Sequence, residues 1–216
     1  CNGIAAEADL PGDLLDQVYA DSLPGAAAKE LGGLDIIINN AGVITRGPVT
    51  DTSDRDWDLS VGVNVEAPFR ICRAGIPILA EGGGGAIVNL ASCWGVHPGP
   101  NHAVYCMTKA AIASLTQCMG RDHAHQGIRI NAVCPNEVDT PMLRTGFEKR
   151  GFDPVTAIKD LGMTVPLGRI DRRPARGVGL GARGTATARP LRNPPGGVGQ
   201  SQCNGHRSGA RPSDTQ

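Results

Sequence analysis

Tyr105 and Lys109 stand four residues apart in the run Tyr105-Cys-Met-Thr-Lys109. On a helix, positions i and i+4 share one face. A phenol works as a general acid or base near neutral pH only if its ordinary pKa of about 10 falls by roughly 3 units, worth about 4 kcal/mol. A neighbouring ammonium stabilises the phenolate and can supply that shift. The same spacing also suits a Tyr and a Lys on a solvated helix face, so the pair needs company before it means chemistry. Ser92 lies thirteen residues upstream, just past an apolar run at 86–90. A hydroxyl there can donate to a carbonyl oxygen on which negative charge develops; its plain alternative is a serine capping a loop. Asn39-Asn40-Ala41-Gly42 closes an earlier apolar run. Gly42 permits close backbone approach to a ligand, and the Asn amides can fix the loop or reach a ribose, where the alternative is an ordinary Asn/Gly turn. Asn64 falls inside a helical pattern, where Asn is a poor helix former, and reads as surface decoration or as the holder of a buried water.

The elements that must position these residues alternate between strand and helix, which predicts an α/β domain with a parallel sheet. Strands are expected at 4–8, 34–38, 86–90 and 128–133, those at 34–38 and 86–90 being apolar runs of the kind buried on both faces. A helix is expected over 13–31, interrupted at Pro24-Gly25. A second runs over 54–79, with Thr52 or Ser53 as N-cap and with Pro68 and Pro77 as kinks or breaks. A third covers 103–125, followed by Gly127. Ser92 and the Asn39–Gly42 run then sit at strand carboxyl ends, where open α/β sheets bind ligands. The stretch 142–168 gives no reading.

The 216 residues are 40% hydrophobic and 19% charged, a globular composition with enough chain for one domain and its core. No apolar run approaches the roughly 18–20 residues of a membrane span. No signal peptide is visible and the first residue is not Met, so the chain is expected to be a fragment. The seven cysteines include no CxxC and are expected to be buried or half-buried free thiols of a cytoplasmic protein. No His has metal-ligand spacing. Net charge is zero, but residues 169–216 hold nine Arg against two Asp, leaving 12 basic and 19 acidic side chains before them. Such a tail can bind nucleic acid, yet beyond residue 170 it offers no Lys and no aromatic to stack on bases.

From about residue 3 to Ile170 the chain resembles the short-chain dehydrogenases/reductases in their tyrosine-dependent form. The matches run in order: Asp9-Leu10, Asn39-Asn40-Ala41-Gly42, Asn64, Ser92, Tyr105 with Lys109, and Arg129-Ile-Asn-Ala-Val-Cys-Pro135 leading through Val138 to Thr140. The resemblance implies an α/β, Rossmann-like doubly wound parallel sheet. It also implies an NAD- or NADP-dependent oxidoreductase that interconverts a secondary alcohol and a ketone by direct hydride transfer, without a metal. In that scheme Tyr105 exchanges the proton, Lys109 lowers its pKa and bonds the nicotinamide ribose, Ser92 positions the carbonyl, and Asn64 holds a water. Asp9 and Leu10 meet the adenine; Asn40, Ala41 and Gly42 line the cofactor; Pro135, Val138 and Thr140 flank the nicotinamide. The small-molecule substrate would be a polyol or sugar derivative, a hydroxy acid, or a 3-oxoacyl thioester. Trp94, His97 and His102 would either touch it or pack a loop. Such proteins assemble as homotetramers through two long helices, here 54–79 and 103–125.

Three departures qualify the resemblance. The family's Pro-Gly is Pro135-Asn136, which alters one wall of the site. The expected opening strand, Gly-rich phosphate turn and second strand are missing, so neither NAD nor NADP is selected. Gly177-Val-Gly179-Leu-Gly181 follows no strand and cannot replace that turn. The sheet is therefore expected to be incomplete, lacking its first two strands and its last, with an open edge and poor dinucleotide binding. After Ile170 the expected closing elements give way to Arg, Gly, Pro and Ala, as a frame shift near Asp171 in a GC-rich gene would produce. The organisation expected is a partial dehydrogenase domain, 1–170, and a disordered tail, 171–216. The competing readings are an inactive remnant of such an enzyme and a nucleic-acid binder acting through the tail.

Overall fold

Isoleucines in register build the frame. In this computed structural model, which describes residues 8–166 and 168–172, β1 (Ile36–Asn39), β2 (Gly85–Leu90) and β3 (Ile128–Val133) form a parallel sheet in the order β1-β2-β3. Ile37 pairs with Ile87, and Ile87 with Ile130. Ile37, Ile87 and Ile128 are almost wholly buried, with Leu79 and Ile76 packed against them. The three strands fall where the apolar runs predict. Of the strand expected at 4–8, residues 4–7 lie outside the described residues, as does everything expected of the chain beyond Arg172.

The helices follow the pattern with two corrections. α1 (Gln17–Leu31) is capped by Asp16, whose side chain accepts from the Val18 and Tyr19 amides, and it ends on Gly32 in the left-handed region. Pro24 does not interrupt it. The ring is buried inside the helix against the later helix that carries Gly75, which leaves room for Pro24 and Ile37. The second helix does divide, but not at Pro77. Ser53 caps α2 (Asp54–Val61); a five-residue π segment, Gly62–Glu66, follows, and α3 (Ala67–Glu81) continues the run. Pro68 sits in the first turn of α3 and has no N–H for the carbonyl four residues back, while the Ala67 amide reaches five back to Gly62. Pro77 lies within α3 on its exposed side.

α4 (Ala103–Asp122) packs on β2 and β3, and Gly127 ends the turn after it with φ 75°. Beyond β3 the chain forms elements that the pattern did not reveal. β4 (Val138–Asp139) pairs with β5 (Asp171–Arg172), and between them run α5 (Pro141–Glu148) and α6 (Pro154–Met163). Thr140 and Asp153 cap these helices, each followed by Pro at the first helical position. Phe147, Ile158 and Ile170 form a small core of their own there. Among the described residues no helix is long and apolar enough to cross a membrane.

Candidate active site

The carboxyl ends of β2 and β3 stay paired past the strands themselves. The Ala91 amide donates to Val133 O and the Cys93 amide to Pro135 O, both at 2.9 Å. This fixes Ser92, which is buried and accepts from the Trp94 amide at 3.2 Å, capping a short turn, Cys93–Gly95. Gly95 presses that turn onto α4. A Cβ there would stand 2.6 Å from the Lys109 carbonyl carbon and 2.8 Å from the Ala110 nitrogen. Helical spacing then brings Tyr105 and Lys109 to Ser92. The Lys109 ammonium is buried, donates to Leu90 O at 2.7 Å, and lies 5.9 Å from the centre of the Tyr105 ring. The three side chains thus converge at one sheet edge.

The electrostatics run opposite to the simple expectation. Burial pushes the half-buried Tyr105 phenol above its ordinary value, and the Ser92 hydroxyl, turned toward it, pulls it part of the way back. Burial also lowers Lys109, whose charge is spent on the Leu90 carbonyl rather than on the phenol.

Behind Lys109 the π segment carries Asn64 inward. Asn64 is buried, accepts from the Val43 amide, and donates to Val43 O and to the Thr108 hydroxyl at 2.9 and 3.1 Å. Thr108 in turn donates to Tyr105 O at 2.8 Å. Both amide hydrogens of Asn64 are therefore committed to protein, leaving only a lone pair on Oδ1. That atom borders Gly42, where an added Cβ would come within 3.3 Å of both Asn64 Oδ1 and Lys109 Nζ. Below, Asn39 donates to Asn89 at 2.8 Å, and Asn89 to Thr116 at 2.9 Å, in a buried ladder that ties β1, β2 and α4 together.

Asp9, Leu10, Asn40 and Ala41 do not join Ser92 and Tyr105. They line a separate cavity of about 430 Å³ along the open edge of β1, with Leu23 and Ile71. Pro135 holds Cys93, Val138 belongs to β4, and Thr140 caps α5. His102 stands edge-on to Trp94 with ring centres 4.4 Å apart, while His97 is exposed. Sequence reasoning missed Thr108, Gly95 and Glu137. Glu137 is half-buried and acts electrostatically on Tyr105 and Cys93; nothing in its sequence position signals this. Among the described residues no three His, Cys, Asp or Glu side chains gather as a metal site would need.

Known proteins share this sequence pattern and fold. Residues 7–151 match the family model described as short chain dehydrogenase. The chain is similar to 2-keto-3-deoxy-L-fuconate dehydrogenase of Xanthomonas campestris, at 34% identity over 77% of this chain and 56% of that protein. It is also similar to dehydrogenase/reductase SDR family member 6 of Danio rerio, at 36% identity over 67% of this chain and 59% of that protein. It thus spans less than two thirds of these curated relatives. Among solved structures, the aldohexose dehydrogenase of Thermoplasma acidophilum superposes with a TM-score of 0.71 at 28% identity, covering 76% of this chain and 65% of that one.

Proposed function

This chain belongs to the short-chain dehydrogenase/reductase family, whose Rossmann-like parallel sheet it carries, and on that premise we propose that the whole protein interconverts a secondary alcohol and a ketone with NAD or NADP. The observation that carries the proposal is the convergence of Ser92, Tyr105 and Lys109 at the carboxyl end of β2. Tyr105 takes the hydroxyl proton in oxidation and returns it in reduction. Ser92 donates to the substrate oxygen as charge develops on it. Lys109 leaves Leu90 O to face the phenol and the cofactor ribose. Asn64, whose free Oδ1 lone pair borders Gly42, holds a water beside Lys109.

The residues present fit the adenosine and nicotinamide ends of a dinucleotide, though not its pyrophosphate, whose Gly-rich turn is not among them. Gly42 leaves the space beside Lys109 and Asn64 clear, and a cavity bordered by Asp9, Leu10, Asn40 and Ala41 suits an adenosine end. Pro135, Val138 and Thr140 stand as the wall on the nicotinamide side. When bound, the cofactor accepts or donates the hydride. We assign residues 1–172 to the dehydrogenase unit, since Asp171–Arg172 pair with β4, and the chain after them to a separate tail. We further propose a homotetramer built on α3 and α4, where Phe69 and Met107 are exposed, and a reducing cytoplasmic setting for the five free thiols described.

Initial rates of cofactor reduction at 340 nm with a panel of secondary alcohols test the reading. Ser92→Ala is expected to lower turnover by about 10²–10³-fold, as removal of an oxyanion donor does. Turnover equal to wild type would remove Ser92 from the mechanism.

A further inference from the structure

Two guanidiniums meet at Gly146 on α5. Arg46 Nη2 lies so close that a Cβ on Gly146 would be 2.5 Å from it. Arg150 Nε donates to Gly146 O at 3.0 Å. Among the described residues neither has an ion-pair partner, whereas Arg144 on the same helix is paired with Asp139 at 2.8 Å. The Arg150 head also rests over Phe147 and Phe152, at 4.8 and 5.8 Å from the ring centres. Burial and the Arg150 charge together pull Arg46 below its ordinary value, so the two cations repel.

The pair faces the site described above. The Gly47 amide, next to Arg46, donates to Asn101 O at 2.8 Å, and Gly47 bridges to His102, one turn before Tyr105. His102 feels the charges of both Arg46 and Arg150. Glu137 feels Arg150 from beyond ion-pair distance and also acts electrostatically on Tyr105. Arg46 and Arg150 are thus tied to the site through the Gly47–His102 bridge, and His102 stands edge-on to Trp94.

We propose that Arg46 and Arg150 form a subsite for an anionic group of the substrate, which makes the substrate a hydroxy acid and its oxo acid, with the carboxylate held by the guanidinium pair. The inference rests on the oxidoreductase reading. A lone anion relieves the repulsion of two unpaired guanidiniums, and their planar forks match a carboxylate. Neutral polyols would bring no charge to either guanidinium.

The test compares 3-hydroxybutyrate with its methyl ester, and glycerol 3-phosphate as a phosphate source, in wild type, Arg46→Gln, Arg150→Gln and Arg150→Lys. Both arginines are exposed, and melting temperatures check that the variants fold. The expected kcat/KM preference for acid over ester is at least about tenfold; it falls about tenfold in each Gln variant, mainly through KM, and partly returns in Arg150→Lys. A preference for the phosphate ester assigns the subsite to phosphate and overturns the carboxylate. A second readout needs no turnover. In a Trp57→Phe background, malonate but not dimethyl malonate is expected to change Trp94 fluorescence, with saturation shifted about tenfold upward in each Gln variant. Identical acid and ester kinetics with variant-independent malonate response overturn the subsite, while Tyr105-dependent turnover of the ester would leave the oxidoreductase reading standing. Malonate binding through both arginines without turnover of any alcohol upholds the subsite and counts against the oxidoreductase reading instead.

Discussion

Burial and charge compete at Tyr105, and in the ligand-free protein burial wins. The phenol is raised because its ionised form is poorly solvated, and because Lys109 satisfies Leu90 O instead. A titration of tyrosinate absorbance at 295 nm, taken as wild type minus Tyr105→Phe, should show a midpoint above 10 for this residue. The sign for stability follows. A folded pKa above the unfolded value gives stability that is intact below about pH 10 and lost as pH rises through the folded pKa, so Tyr105→Phe should resist alkaline unfolding better than wild type. A midpoint below 10 without ligand would contradict the burial argument. The sequence made the pairing of Tyr105 with Lys109 legible because one helix fixes it. It did not make the direction of the shift legible, since that depends on how deep α4 sits and on a strand carbonyl nineteen residues away.

Among the elements, those with a local signal were readable. Short hydrophobic stretches marked the strands, Ser53 the start of α2, and Gly127 the stop after α4. Proline misled in both directions, since a buried ring is tolerated in α1 while the division of the second helix comes from the π segment before Pro68. Thr140-Pro141 and Asp153-Pro154 were legible cap signals for α5 and α6, obscured by the shortness of the segments they open, 8 and 10 residues. Gly95 carried no signal, because its need is the close approach of α4. Gly95→Ala should cost roughly 1–3 kcal/mol in denaturant unfolding and also lower turnover, by moving Ser92 away from Lys109. A variant as stable and as active as wild type would show that the turn can give way freely.

For the whole molecule, the sheet, the buried Asn39–Asn89–Thr116 ladder and the core of β1–β3 form one rigid floor beneath the site. The thiols test that picture. The sequence reading of buried or half-buried cysteines holds for Cys72, Cys106 and Cys93, but Cys118 and Cys134 are exposed. Burial pushes Cys72 up to about 11, and its Asn39 hydrogen bond only partly offsets this. Ellman's reagent at pH 8 should therefore modify Cys118 and Cys134 rapidly and reach Cys72 only on unfolding. Rapid labelling of Cys72 in the native protein would mean that the floor opens. Strand order and burial at this scale depend on contacts far apart in the chain, so the alternation of strand and helix signals could give the class of fold but not these exposures.

Tyr105→Phe removes one oxygen and leaves the ring in place. With a secondary alcohol that wild type oxidises, the account predicts a fall in turnover of about 10²–10⁴-fold, the span of general acid–base catalysis, while the dissociation constant for reduced cofactor, read by fluorescence, stays within about twofold. Wild-type turnover in that variant would contradict the account at its centre.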